Sequence, residues 1–332
     1  MSLTCQRRGF WLNDEHETKH LERAGPRRVK NIAASVRQRL LNYARERSEE
    51  LGLVLSRYAA ERFLYRLTQS KHRDRLVLKG ALLFLMWEGE MHRVTRDIDL
   101  LGYGAADIAD LEQVVRDICS TEVPEDGMRL LADTIRGVRI RGDQEYEGTR
   151  ITLEARLSSA RVPLQIDIGV GDVITPPAEE ATMPTILEFE APRPRIYPRE
   201  TVVAEKFQAM VQLGIANSRM KDFYDVWFLA QSFSFEGERL AEAIRRTFER
   251  RRTRVPVEPP LALTRAFVDN PAKGQQWAAF LRKGRLEEGE MNLEEVITCI
   301  RPFLMTPALA AGRQQVLRQE WPPGGPWQEQ QR

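Results

Sequence analysis

Residues 93–101 read RVTRDIDLL, which places two acidic residues in a run whose apolar members indicate a partly buried β-strand. Successive side chains of an extended chain point to opposite sides, so Asp97 and Asp99 project together, roughly 6 to 7 Å apart. Ile98 and Leu100 point the other way. Two carboxylates on one face of a strand make a place for a cation.

The segment before this strand predicts a short strand, a turn and a buried helix. Residues 76–89 read LVLKGALLFLMWEG, with a turn at Lys79-Gly80 and a helical run that stops at Gly89. The backbone N–H groups of the Gly80 turn and the start of the helix after it would face phosphate.

A β-hairpin is predicted further along the chain. Residues 151–157 and 162–169 alternate apolar and polar side chains and are separated by four residues. The second strand places Ile166 and Ile168 on one face and Asp167 on the other. Asp167 is therefore a candidate third carboxylate beside the acidic strand.

The rest of the chain is predicted to be mostly helical. A helical pair begins near Asn31, with Ser56 as the N-cap of its second helix, and residues 171–198 form a long connection over the surface. The predicted parts are a disordered leader (1–30), a core with the helical pair (31–198), a helical region that contributes to the site (199–312) and a disordered tail (313–332).

Composition sets modest bounds. The 332 residues are 42% hydrophobic with a formal net charge of +2, which fits one large domain or two smaller ones and does not by itself indicate a nucleic-acid binder. Basic residues gather within 27–47 and again within 245–254. Both groups are consistent either with phosphate-facing patches or with solvated helix faces.

The three cysteines, Cys5, Cys119 and Cys299, are far apart and show no CxxC spacing, which argues against a zinc site or a disulfide framework. No run approaches the roughly 18 apolar residues of a membrane span, and the N-terminus lacks the apolar core of a signal peptide. We therefore expect a cytoplasmic protein that does not enter a membrane.

Asp97, Asp99 and Asp167, which follow a glycine turn, suit Mg²⁺ together with a triphosphate. Magnesium takes one or two carboxylates, phosphate oxygens and water, and a third carboxylate would complete a two-metal site. The alternative is that these aspartates belong to a solvated strand edge or a cap.

A pair of helices within 201–230 supplies a further constellation. Lys206 and Asp225 both lie about 14 Å from the centre of the turn at 214–217, at 1.5 Å per residue, and can meet across the pair, with Asp222 one turn away. They form either an interhelical salt bridge or a lysine for triphosphate charge with an aspartate that orients it or acts as a base.

Five segments in this order resemble the AbiEii/AbiGii-type nucleotidyltransferase toxin family, a branch of the DNA polymerase β-like nucleotidyltransferase superfamily. The resemblance runs from about residue 31 to about residue 285, and it implies an α+β fold: a polymerase β-like core with a mixed sheet, flanked by N-terminal helices and a mainly helical C-terminal region. The segments are LKGALLF, HRVTRDIDLL, VPLQIDIGVGD, YPRETVVAEKF and NSRMKDFYDVWFL.

The resemblance also assigns roles by position. It implies metal binding by Asp97, Asp99 and Asp167, and catalysis by these three with Lys206 and Asp225. Nucleotide binding is implied for Lys79, Gly80, Ala81, Lys206 and Asp222. The family often has a glycine or a hydroxyl residue where this chain has Ala81, so a side-chain hydroxyl contact to phosphate is absent here.

The implied activity is Mg²⁺-dependent transfer of a nucleotide from an NTP to RNA, at the 3′ end of tRNA, by the toxin of a bacterial toxin–antitoxin or phage-defence system. The implied partner is a separately encoded antitoxin with a winged-helix DNA-binding domain. Two alternatives remain open: a nucleotidyltransferase that modifies a small molecule, and a non-catalytic binding module that keeps the fold.

Overall fold

The acidic stretch forms a strand inside a mixed β-sheet, as the computed structural model shows. The structure describes residues 31–91, 93–104, 107–141, 147–284, 286 and 292–330. The leader expected at 1–30 lies outside these residues.

Seven strands of the described residues pair in this sheet, in the order β3-β4-β5-β2-β1-β7-β6. The acidic strand β2 pairs antiparallel with β1 and parallel with β5, and the predicted hairpin is β4–β5. The strands are β1 Leu76–Lys79, β2 Asp97–Gly102, β3 Met128–Arg141, β4 Glu147–Leu157, β5 Ala160–Val170, β6 Glu179–Glu180 and β7 Arg195–Ile196.

Helices precede, interrupt and follow these strands, which confirms the predicted fold class. Three short strands, β8 Phe235–Glu236, β9 Gln319–Trp321 and β10 Gln328–Glu329, form a second small sheet. The helices are α1 Ile32–Glu46, α2 Leu51–Gln69, α3 Leu82–Glu88, α4 Ile108–Cys119, α5 Arg199–Leu213, α6 Met220–Ser232, α7 Gly237–Arg250, α8 Arg265–Val268, α9 Pro271–Gly284 and α10 Leu293–Arg313.

The main sheet has one apolar face, and this fixes where the acidic residues lie. Ile98, Leu100, Ile166 and Ile168 are fully buried in the core, where α2 packs against β5. Burying each of these side chains contributes about 1.5–3 kcal/mol, and a shift of one residue in register would turn them all outward. The aspartates of β2 and β5 are thereby held on the opposite face.

The second helix begins earlier than predicted. α2 starts at Leu51, so Ser56 lies inside it and is not its N-cap. The Ser56 hydroxyl donates to the carbonyl of Gly52, four residues earlier, as serine side chains inside helices commonly do.

The connection at 171–198 is less superficial than predicted. It contains β6 and β7, and Ile196 of β7 pairs in parallel with Leu78 of β1. Met183 is also buried in the core. Backbone pairing of β7 with β1, and of β6 with β7, therefore joins this segment to the sheet.

The tail was expected to be disordered, and in the described part of it this expectation is wrong. Trp321 in β9 is only 2% exposed and donates its indole N–H to the carbonyl of Ala230. The centroid of its ring lies 5.0 Å from that of the Phe303 ring, and the ring of Trp327 stacks on the same phenylalanine. These aromatic contacts outweigh the Pro- and Gly-rich composition of the tail. None of the described helices is long and apolar enough to cross a membrane.

Candidate functional site

Asp97, Asp99 and Asp167 share the polar face of the sheet. Asp99 lies directly opposite Asp167 in the parallel β2–β5 register, and Asp97 lies two residues earlier on β2. Burial, and then the charge of Asp167, raises the pKa of Asp97. Burial also raises the pKa of Asp99, where Asp167 and Asp97 add to the effect and Lys221 opposes it. Carboxylates that disfavour one another's charge are stabilised by a cation placed between them.

Gly80 makes room for Asp99. Its φ is +74°, and a Cβ built on it would lie only 2.7 Å from Cγ of Asp99 and closer still to Oδ2. The sequence predicted this glycine from its turn, and the structure adds the close approach of the carboxylate. Ala81, which follows it, is 3% exposed and precedes the two-turn helix α3.

Lys206 and Asp225 meet across the antiparallel helices α5 and α6, as their spacing predicted. The Nζ of Lys206 lies 2.8 Å from Oδ2 of Asp225 and 2.7 Å from Oδ1 of Asp222. Burial opposes the charged lysine, but the two carboxylates outweigh it and raise the pKa of Lys206. Burial also opposes the ionised form of Asp222, and Lys206 with Arg219 nevertheless lowers its pKa. The interhelical salt bridge therefore forms, inside the same charged cluster.

Arg93 joins this cluster from the loop before β2. Its Nε and Nη2 donate to the two oxygens of Asp225, at 2.8 and 3.0 Å. Asp225 is fully buried, and Lys206 contacts it as well. Both of its oxygens thus accept from cations, which suits an aspartate that orients Lys206 and Arg93 better than one that takes a proton.

Sequence reasoning missed Arg93, Arg150, Arg219 and Lys221. Lys221 lines the cleft and is exposed, yet desolvation by the surrounding protein and then the charge of Lys206 lower its pKa. Arg93 opens the acidic stretch and Lys221 immediately precedes Asp222, so closeness to the motif aspartates was the available signal.

Lys79 lies at the other end of the cleft, where its ammonium is already partnered. Its Nζ is 2.9 Å from Glu205 and 3.4 Å from Asp172, and Arg251 pairs with the same two carboxylates. Burial opposes the charge of Lys79, but these carboxylates raise its pKa. The role of Lys79 in nucleotide binding stays a prediction.

Several arginines of the basic segment at 245–254 form ion pairs with carboxylates of the same protein. Arg245 and Arg246 both donate to Glu242, and Arg251 donates to Asp172. Much of this positive charge is therefore compensated within the protein.

Many of these groups line one cleft of about 330 Å³, to which the sheet and the helices α5 and α6 contribute. The acidic strands form one wall and the cationic cluster forms part of the other. Asp97, Ala81 and Asp225 are not among the residues that line the cleft, and Ala81 and Asp225 are buried. The predicted residues that line the cleft are Lys79, Gly80, Asp99, Asp167, Lys206 and Asp222, and the unpredicted ones include Arg93, Arg219 and Lys221.

Asp97 and Asp99 have the hard oxygen donors and the shared orientation that Mg²⁺ requires, and magnesium commonly takes only one or two carboxylates. Within the described ranges, no three His, Cys, Asp or Glu side chains are arranged as ready ligands of a metal ion. Both oxygens of Asp167 accept from Arg150, at 2.9 and 2.8 Å.

Comparisons with known proteins bear on this cleft. The family described as "Nucleotidyl transferase AbiEii toxin, Type IV TA system" matches residues 62–299. Two crystal structures are similar, each at 16% identity and a TM-score of 0.44 over 79% of this chain. One is described as a candidate nucleotidyltransferase from H. pylori, of which 95% is covered, and the other as JHP933 from Helicobacter pylori, of which 92% is covered. No curated protein matches the chain. Because the family match spans well over half of the chain, the protein belongs to the AbiEii family of nucleotidyltransferase toxins.

Proposed function

We propose that this nucleotidyltransferase moves a nucleotide from an NTP to RNA, with the 3′ end of tRNA as the acceptor. The observation that carries the reaction class is the opposition of charges across the cleft. Asp99 and Asp167 line one wall, and Lys206, Arg219 and Lys221 line the other. A triphosphate with a divalent cation needs both a carboxylate wall and a cationic wall.

Asp97 and Asp99 would hold Mg²⁺, with Asp167 as the third carboxylate. Their raised pKa values and their common face are the features that fit a cation. Bound there, Mg²⁺ supplies compensation for the negative charge that develops on the transferring phosphoryl group.

The cationic wall binds and orients the triphosphate. Lys206 is held in place by Asp222 and Asp225, so its ammonium is positioned before substrate arrives. Arg93 is fixed in the same way by Asp225. Positioned charges of this kind stabilise a transition state without reorganising at the moment of reaction.

Asp167 is the better proton acceptor for the attacking hydroxyl. Its side chain is 17% exposed, and its two oxygens are held by one cation, the 37% exposed Arg150. Asp225 is buried and is held by two cations, Arg93 and Lys206. The acceptor oxygen attacks the α-phosphorus, its proton passes to the Asp167 carboxylate, the bond to the β-phosphate breaks, and pyrophosphate leaves.

The antitoxin follows from the family, and its nature and the biological setting are part of the proposal. A type IV toxin–antitoxin family implies an antitoxin. We propose that it is separately encoded with a winged-helix domain, that the pair acts in phage defence, and that the enzyme works in the cytoplasm, where NTPs and tRNA are found.

A small-molecule acceptor is the second candidate. The pairing of Arg245 and Arg246 with Glu242 favours it, because compensated arginines contribute less to the binding of a polyanion. The reaction centre would be the same, and only the acceptor would differ.

The assay that decides between these acceptors uses purified full-length protein, Mg²⁺, total tRNA and each of the four α-³²P-labelled NTPs. We expect label on tRNA with wild type and none with Asp97→Asn/Asp99→Asn. If pyrophosphate is released in the presence of a small-molecule extract while the tRNA remains unlabelled, the assignment moves to the second candidate. No turnover of any NTP would overturn the proposed reaction.

A further inference from the structure

Arg150 holds Asp167 in a way that bears on how the site is loaded. The two residues face each other across the antiparallel β4–β5 ladder. The Nε of Arg150 donates to Oδ1 at 2.9 Å and Nη2 donates to Oδ2 at 2.8 Å, so both carboxylate oxygens are occupied. A bidentate guanidinium–carboxylate pair is among the stronger charged hydrogen-bond arrangements.

The guanidinium of Arg150 also lies in the field of the other two carboxylates. The pKa of Arg150 is raised mainly by its hydrogen bonds to Asp167, and the charges of Asp97 and Asp99 raise it further. Arg150 thus balances part of the charge of the whole acidic wall.

The exposure of Arg150 distinguishes it from the cations across the cleft. Its side chain is 37% exposed, whereas that of Lys206 is 13% exposed and lies between two buried carboxylates. A half-exposed arginine can leave its partner by rotation about its side-chain bonds, because water can solvate both charges.

From this geometry we propose that Arg150 is a resident counter-ion that leaves Asp167 when a divalent cation is loaded and then binds a phosphate of the incoming anionic substrate. The planar guanidinium, whose paired N–H donors form a fork that fits the two oxygens of a carboxylate, fits two oxygens of a phosphate as well. Loading of the cation and binding of the triphosphate would then assist each other. This inference rests on the proposed function, because it assumes that the acidic wall binds a divalent cation.

Removing the fork should therefore change two affinities in opposite directions. Arg150→Gln should bind Mn²⁺ alone roughly two- to fivefold more tightly, because the cation no longer competes with the half-exposed Arg150 guanidinium for the Asp167 carboxylate. The same variant should bind the preformed complex of Mg²⁺ with inorganic triphosphate roughly tenfold more weakly, because a charge-assisted contact is lost. A purely structural cross-strand pair would not produce opposite signs.

The experiment uses the full chain and two titrations: free Mn²⁺ followed by electron paramagnetic resonance, and Mg²⁺–triphosphate followed by calorimetry. Arg156→Gln is the matched control, because Arg156 lies on the same strand and pairs with Glu154 away from the cleft. Both titrations should be unchanged in it. Arg150→Lys keeps the charge without the fork and should fall between wild type and Arg150→Gln. Circular dichroism checks that each variant is folded.

Equal or weaker Mn²⁺ binding by folded Arg150→Gln would overturn the inference. If Asp97→Asn/Asp99→Asn still reduced Mn²⁺ binding in that case, the proposed function would stand and only the counter-ion role would fall. If neither wild type nor Arg150→Gln bound Mn²⁺, with or without triphosphate, the cation site itself would be refuted and the inference with it.

Discussion

At the scale of single residues, the backbone of Gly80 determines where Asp99 can lie. The left-handed φ of +74° turns the chain at the end of β1, and the missing Cβ leaves the space that the Asp99 carboxylate occupies. Glycine adopts such a φ without steric cost, and other residues do not.

Gly80→Ala should therefore abolish nucleotidyl transfer and lower the free energy of unfolding by about 2–3 kcal/mol, through backbone strain and the collision with Asp99. Gly89→Ala is the matched control, since Gly89 has a φ of +78° and nothing within 4 Å of its added Cβ. It should show about 1–2 kcal/mol of strain with activity retained. Chemical denaturation and the transfer assay measure both. Equal activity in the two variants would contradict the role given to Gly80.

The site aspartates and Lys206 were predictable because period-2 and period-3.6 spacing place them on defined faces. Arg93 was not, because the loop that carries it has no period, and its bidentate contact with Asp225 joins residues 132 positions apart. Arg150 lies one residue before the strand predicted at 151–157, and its partner follows only from the observed register of the hairpin.

At the scale of elements, α2 shows how burial overrides local signals. Most of its residues from Val54 to Thr68 are buried, and among them is Glu61, which is 1% exposed. Its carboxylate contacts Arg62 at 2.9 Å and accepts from the backbone N–H of Ile186. Burial nevertheless dominates and raises the pKa of Glu61 to about 7.

This shift makes the stability of the fold depend on pH. Between the ordinary pKa of about 4.5 and the raised value of about 7, the folded protein keeps a proton on Glu61 that the unfolded chain has lost. The contribution of Glu61 is therefore fully present below pH 4.5 and is lost as pH rises to about 7, a change of about 3 kcal/mol. Glu61→Gln should remove this part of the pH dependence. Denaturant unfolding at several pH values compares the two proteins, and parallel curves would refute the assignment.

β3 was not anticipated from the sequence. Its residues, MRLLADTIRGVRIR, carry charged and apolar side chains on both faces, and the register with β4 shifts between Leu131 and Arg136. An irregular strand at the edge of a sheet gives little period-2 signal. The hairpin β4–β5 was found because one of its faces is continuously buried.

At the scale of the whole molecule, the cleft is shared between distant parts of the chain. β2 and β5 lie within 31–198, and α5 and α6 lie within 199–312, so neither predicted part contains the site alone. The tail contributes to the same body by packing on α6 and α10, through Ala230 and Phe303. The Pro- and Gly-rich composition of the tail predicted disorder. The aromatic contacts that order it join residues far apart in the chain, so they leave no periodic pattern in the local sequence.

Trp321→Ala should therefore lower the free energy of unfolding by about 3–5 kcal/mol, as expected for a large buried aromatic side chain. Val316→Ala is the control, since Val316 is 61% exposed and its loss should change stability by less than about 0.5 kcal/mol. Thermal and chemical denaturation measure both variants. A Trp321→Ala protein as stable as the control would mean that the tail does not support the fold.

The central claim is that the acidic wall of the cleft carries nucleotidyl transfer. The most direct test is the rate of pyrophosphate release with NTP, Mg²⁺ and tRNA for Asp99→Asn beside Asp133→Asn, which changes an exposed aspartate of the same sheet. We predict a loss of at least about a hundredfold for Asp99→Asn, as for the removal of a group that stabilises transition-state charge, and a wild-type rate for Asp133→Asn. Wild-type turnover by folded Asp99→Asn would contradict the account.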